Sequence, residues 1–201
     1  MNYESVILEL LSRVQKLESR VEHLENSKAV QAPHPQQEED DEGDLKITRS
    51  TARQFVMDKL EKIYSFLDVQ KGTRASGADI LIKMNSGDMK GKTLKAKFYY
   101  SKSHLPFPSG WHTVKQADLE NDDLEMHIFT VSYQNRYHNF FFTQEHLRKF
   151  VESKKMDSSN QYYFYFHVHD DKQLETRDGE KDVSSTYENW EMVGNIFEAK
   201  K

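Results

Sequence analysis

The chain has 201 residues, of which 36% are hydrophobic and 30% charged, and a net charge of −5; that is enough for one full domain with an appendage and short for two. It contains no cysteine, which excludes disulfides, a cysteine nucleophile and thiolate metal sites. No apolar run approaches the roughly 18–20 residues of a membrane span, and MNYESVILELL lacks the basic start of a signal peptide, so a cytoplasmic chain without membrane association is expected.

Charge and apolar periodicity divide the chain. Residues 1–44 carry eleven Asp/Glu against four Lys/Arg, a balance of −7. Residues 45–110 carry thirteen Lys/Arg against five acids, or +8, and residues 111–201 eleven against seventeen, or −6. The first stretch, 3–26, reads as an amphipathic helix in a seven-residue repeat, with Ile7, Val14 and Val21 at position a and Tyr3, Leu10, Leu17 and Leu24 at d. β-Branched residues at a with Leu at d favour a parallel two-stranded coil. Arg13 and Arg20 at g would face Glu18 and Glu25 of a second copy. A homodimer through Ile7, Leu10, Val14, Leu17, Val21 and Leu24 is therefore expected, with a trimer as the alternative. Residues 27–44 hold two prolines, three glutamines and the acidic run Glu38 to Glu42, the composition of an extended acidic linker.

The body, 45–201, begins with apolar residues at helical spacing: Ala52, Phe55, Val56, Leu60, Ile63, Tyr64 and Leu67. With Thr48 or Ser50 as N-cap, they predict a helix over 50–67. A basic, glycine-flanked loop follows, from Lys71 to Gly77. Alternation predicts a strand over Asp79–Met84 and a returning strand over Thr93–Tyr100, joined by a glycine turn. Residues 101–123 read as a long loop with a short helix near Gln116–Leu119. His127–Tyr133 and Tyr137–Phe142 read as paired strands, Gln144–Ser153 as a helix capped by Thr143, and Tyr162–Val168 as an aromatic strand. A charged loop at 170–182 precedes a closing helical segment containing Trp190, Met192, Val193 and Phe197. The order predicts an α/β (α+β) fold, a mixed β-sheet flanked by helices.

The run Gly77-Ala78-Asp79-Ile80, opening a strand after a helix, and Leu94-Lys95-Ala96-Lys97-Phe98 in the next strand resemble the core of the PD-(D/E)xK restriction-endonuclease-like superfamily. HIFTVSY through FFFTQEHLRKFV resembles its strand-pair-and-helix continuation. The resemblance covers about residues 50–155 and implies a restriction-endonuclease-like nuclease fold that cuts phosphodiesters with Mg²⁺. Asp79 would be the metal-binding acid, Lys97 the motif lysine, and Lys95 its catalytic neighbour. The sequence departs from the motif where Glu, Asp or Gln should stand two residues before Lys97, since Lys95 stands there. The acid often supplied by the preceding helix would lie near Gln54, which is uncharged, leaving Glu61 as a substitute. Two ammonium groups beside one carboxylate suit a phosphate or a salt bridge better than a magnesium ion.

A basic face is the main binding expectation. Arg49, Arg53, Lys71, Arg74, Lys95, Lys97 and Lys102 would meet around the hairpin, with Tyr99, Tyr100 and Trp111 as stacking surfaces. The function expected is backbone-dominated binding of nucleic acid, DNA first, by a coiled-coil dimer. Mg²⁺-dependent cleavage would come in addition if the site is catalytic. The alternative is a non-catalytic dimeric protein-interaction or regulatory module. His167-x-His169 is a candidate metal pair without a third ligand, so packing at a strand end is the better reading.

Overall fold

A computed structural model of the chain describes residues 47–87 and 89–199. The expected coil over 3–26 and the acidic linker over 27–44 lie outside the described residues.

Helix α1, Arg49–Ile63, starts on a reciprocal cap. Thr48 Oγ1 accepts from the Thr51 N–H at 3.2 Å and Thr51 Oγ1 from the Thr48 N–H at 2.8 Å, which satisfies two amide groups that the helix start leaves open. Ala52, Val56, Met57 and Leu60 are buried. The helix ends four residues earlier than its apolar spacing predicts. Leu67 belongs to strand β1, Leu67–Lys71, whose buried Leu67 and Val69 alternate with Asp68 and Gln70. Leu67 fits both the helical spacing and the alternation with Val69, and its pairing with Met84 decides for the strand.

Strands β2, Ile80–Met84, and β3, Thr93–Lys102, complete an antiparallel meander with β1. The segment expected to be a long loop contains a full strand, β4, Ser109–Lys115, and then α2, Gln116–Glu120. β5, Met126–Tyr133, and β6, Arg136–Thr143, form a hairpin. Its turn residues Gln134 and Asn135 take φ of 46° and 58°, the left-handed pair that a tight two-residue hairpin needs. α3, Gln144–Val151, is capped by Thr143 Oγ1, which accepts from the His146 N–H at 3.1 Å. β7, Gln161–Val168, is followed by two short strands inside the expected charged loop, β8, Gln173–Glu175, and β9, Lys181–Asp182. α4, Glu191–Glu198, closes the domain.

The strands form two sheets, β1-β2-β3-β5-β6 and β4-β7-β8-β9. β3 and β5 run parallel and the other pairs antiparallel, so the first sheet is mixed and flanked by helices. On one face, Ile80, Ile82, Leu94, Ala96, Phe98, Ile128 and Phe141 pack with α1 and α4. On the other, Phe129, Val131, Phe140 and Phe142 meet Val114, Phe164 and Phe166 of the second sheet and Leu147 and Val151 of α3. Burial on both faces explains why β5 and β6 read as continuous apolar runs rather than alternating ones. Among the described residues, no helix is long and apolar enough to cross a membrane.

Candidate nucleic-acid interface

The site follows from a length mismatch between β2 and β3. Pairing of the two ends at Ile80 opposite Ala96, while β3 runs on to Lys102, so the Phe98 amide has no strand beside it on that side. Two side chains take the strand's place. Asp79 Oδ2 accepts from the Phe98 N–H at 3.1 Å, and Arg49 Nη2, from the first residue of α1, donates to the Phe98 carbonyl at 2.7 Å. Arg49 also donates to Asp79 Oδ1 at 3.0 Å. The ion pair thus finishes the sheet edge, satisfying backbone groups that would be costly to leave unpaired.

Next to this pair, alternation along β3 turns Lys97 and Tyr99 to the face opposite Phe98. Lys97 Nζ lies 3.2 Å from Asp118 of α2. The Tyr99 hydroxyl lies 3.1 Å from His127 Nδ1 and 3.4 Å from Asp118 Oδ2. The network behind it assigns the protons. Gln144 Nε2 donates to the carbonyls of Asp118, Leu119 and Asn121 at 3.2, 2.8 and 3.1 Å, so its Oε1 faces His127 Nε2 and accepts from it. His127 Nδ1 is then the acceptor for the Tyr99 hydroxyl. Burial holds His127 neutral, with its pKa lowered to about 4. Burial, reinforced by Asp118, pushes the Tyr99 hydroxyl well above its ordinary value, so Tyr99 stays a donor at neutral pH.

These groups open into a cleft of about 470 Å³ whose lining includes Arg49, Asp79, Lys97, Tyr100, Trp111, Thr113, Lys115 and Asp118. Three cations face two carboxylates, a local balance of +1. Lys115 forms no ion pair among the described residues. The Arg49–Asp79 and Lys97–Asp118 pairs are partly exposed, so solvent screens them and each is weaker than a fully buried pair. A phosphate can therefore compete for either cation. Trp111 stands at the rim, 53% exposed, with its backbone N–H donating to Ser101 Oγ at 3.1 Å.

The expected residues separate in space. Arg49, Asp79, Lys97 and Trp111 share the cleft. Lys95, expected at its centre, reaches instead to Asp123 at 3.0 Å. Arg53 is buried against the core side of α1, because its helical position falls beside Ala52 and Val56. Lys71, Arg74 and Lys102 are exposed and do not line the cleft. The helix acids do not arrive either: Gln54 bonds Asp58 at 2.7 Å, and Glu61 Oε1 accepts from the Val69 N–H at 3.0 Å, tying α1 to β1. His167 and His169 both pack against the Phe107 ring, with centroids 5.4 and 5.3 Å away, and lie 6.1 Å from each other. Asp118 and Lys115 escaped the sequence reading because both depend on β4, a strand hidden in an apparent loop.

A divalent cation needs oxygen donors that are free to face it. Asp79 and Asp118 each already face an arginine or lysine cation, and the position where the resemblance implies a further carboxylate is Lys95. Among the described residues, no group of three His, Cys, Asp or Glu is placed to hold a metal ion. The donor set does not fit the Mg²⁺ site expected at Asp79.

No family model matches the chain, and no curated protein matches it. Among solved structures, the chain is similar to a bacterial homing endonuclease, I-Ssp6803I, with a TM-score of 0.51 and 16% identity. The match covers 79% of this chain and 96% of that one. The likeness establishes an endonuclease-like fold.

Proposed function

We propose that this endonuclease-like domain binds the sugar-phosphate backbone of nucleic acid, DNA first, in the Arg49–Lys97–Lys115 cleft, as a binder rather than a metal-dependent nuclease. The observation that carries this reading is the gathering of three cations from α1, β3 and β4 in one open groove. Only two of them have carboxylate partners there, and those pairs are solvent-accessible. Asp79 and Lys97 stand where the PD-(D/E)xK motif has its first acid and its lysine. Arg49 at the Asp79 carboxylate and an ammonium in place of the second acid turn that chemistry toward anion binding. Side chains that reach phosphates carry no base code, so sequence preference is weak. The chain acts as a homodimer through residues 3–26, which presents two clefts to one strand.

Binding measured against salt tests the reading. With three phosphate contacts, log K falls against log salt with a slope of about −2 to −3. Lys97→Gln with Lys115→Gln reduces the slope by about 2. A flat salt dependence, or a slope untouched by both substitutions, refutes the cleft as the binding surface. Incubation of supercoiled, linear and single-stranded DNA and of RNA with Mg²⁺ or Mn²⁺ leaves the strands intact. Metal-dependent cutting that disappears in Asp79→Ala and Lys97→Ala would overturn the non-cleaving part.

A further inference from the structure

The outward face of the second sheet carries large rings where a solvated sheet ordinarily carries small polar groups. β4 turns Gly110, His112 and Val114 inward and leaves Trp111, Thr113 and Lys115 exposed. β7 buries Phe164 and Phe166 and turns Tyr163 and Tyr165 the other way. Trp111 sits directly opposite Tyr165 in register, and Thr113 opposite Tyr163. The indole stands nearly perpendicular to both phenol rings, at 77° and 82°, with centroids 4.9 and 5.8 Å away. More than half of Trp111 remains open to solvent, whereas the other tryptophan, Trp190, is 8% exposed.

An arginine accompanies the rings. The Arg177 guanidinium lies 5.8 Å from the Tyr163 centroid and 5.7 Å from that of Tyr165. Its backbone N–H donates to Glu175 Oε1 at 3.0 Å, an atom that also accepts from the Tyr165 N–H at 3.1 Å. Glu175 and Asp178, on either side of Arg177, both reach the buried Lys154 ammonium, at 2.9 and 3.1 Å. The backbone that carries Arg177 is thus anchored by residues that are themselves buried and paired, while its guanidinium lies over the two phenol rings. Arg177, like Lys115, forms no ion pair among the described residues. The Asp157 carboxylate, beside Tyr163, is taken up by the Tyr163 hydroxyl at 2.6 Å and by the N–H groups of Ser159 and Gln161.

We infer that this aromatic and cationic face is a stacking platform for the unpaired bases of a nucleic-acid strand whose backbone runs through the cleft, so that the domain selects single strands over intact duplex. The inference rests on the cleft reading and names its substrate class. Trp111 connects the two surfaces, since its ring belongs both to the cleft lining and to the ring cluster. Cations interleaved with open rings match phosphates interleaved with bases. In a duplex the base faces are stacked on one another and only their edges are open in the grooves. The rings have value only for bases that have left the stack.

Oligothymidylate and a blunt hairpin duplex of equal length are titrated into the full chain, read by tryptophan emission and by anisotropy of a labelled strand. Oligothymidylate binds at least about tenfold more tightly than the hairpin and quenches the exposed tryptophan, as base–aromatic stacking requires. Trp111→Ala loses about tenfold for oligothymidylate with little change for the hairpin, and Trp111→Phe restores most of the loss. Tyr165→Ala and Arg177→Gln weaken only the single strand. Equal binding of both ligands, or a Trp111→Ala variant of unchanged melting temperature and unchanged single-strand affinity, overturns the platform and leaves the cleft reading standing. Absence of binding to either ligand overturns both.

Discussion

Gly110 sits where β4 packs tightly against the first sheet. A Cβ added there would lie 2.4 Å from Val131 Cγ2 and 2.7 Å from His112 Cε1, well inside contact distance. The neighbours are a core methyl on β5 and an imidazole held by its Nε2 on the Thr130 carbonyl at 3.1 Å, so neither can swing away cheaply. Gly110→Ala therefore destabilises the domain by about 1–3 kcal/mol, the usual cost of overpacking, read as a lower urea midpoint. An unchanged midpoint would mean that β4 can lift off β5. The same glycine explains a failure of sequence reading. In Pro106-Phe107-Pro108-Ser109-Gly110-Trp111, prolines and glycine signal a loop, yet this glycine marks close approach within a strand. Asp79 was legible, because an acid opening an alternating apolar strand is a local pattern. Its partner Arg49 was legible only as one of several cations; that it would be the one to complete the β3 edge depends on where β2 stops.

At the scale of elements, legibility tracks the type of burial. β5 and β6 could be read because both faces are covered along most of their length and consecutive residues such as Ile128-Phe129 and Phe140-Phe141-Phe142 are apolar on both faces. β4 could not, since two of its three inward positions are Gly110 and His112, which carry no hydrophobic alternation. β8 and β9 span three and two residues and are specified by pairing with β7 rather than by pattern. The buried histidines on β4 and β5 also have a consequence for stability. Burial lowers both His112 and His127 to about 4 from an ordinary 6.5. Between those two values the unfolded chain takes up protons that the folded chain refuses. Stability contributed by the neutral rings is thus fully present above about pH 6.5 and is lost as pH falls toward 4. By pH 5 the loss is about 2 kcal/mol for each ring, at roughly 1.4 kcal/mol for each pH unit. Urea unfolding at pH 7 and pH 5 measures it. His127→Gln removes one titrating group, so its midpoint drops less between the two pH values than that of the parent chain; equal drops would contradict neutral burial of His127.

At the scale of the whole molecule, the charge distribution acquires a physical sense. The +8 of residues 45–110 is not one patch: Arg49 and Lys97 enter the cleft, Lys95 turns to Asp123, Arg53 is buried, and Lys71, Arg74 and Lys102 stay outside. A cleft with few cations binds one strand weakly, and this gives the proposed coil its purpose. About three heptads hold two copies only marginally by themselves, but two tethered clefts on one long strand make the second contact intramolecular. The gain in affinity from such tethering can reach 10²–10⁴-fold without any new contact. Removal of residues 1–26 therefore leaves affinity for an oligonucleotide that fills one cleft unchanged and lowers affinity for one long enough to reach two by at least about tenfold. Sedimentation of the same two proteins shows the number of copies per particle halved by the deletion. If the copy number halves but the long-strand advantage persists, neighbouring copies meet through the domain itself. If the copy number does not change, the heptad repeat of Ile7, Leu10, Val14, Leu17, Val21 and Leu24 is not what joins the copies.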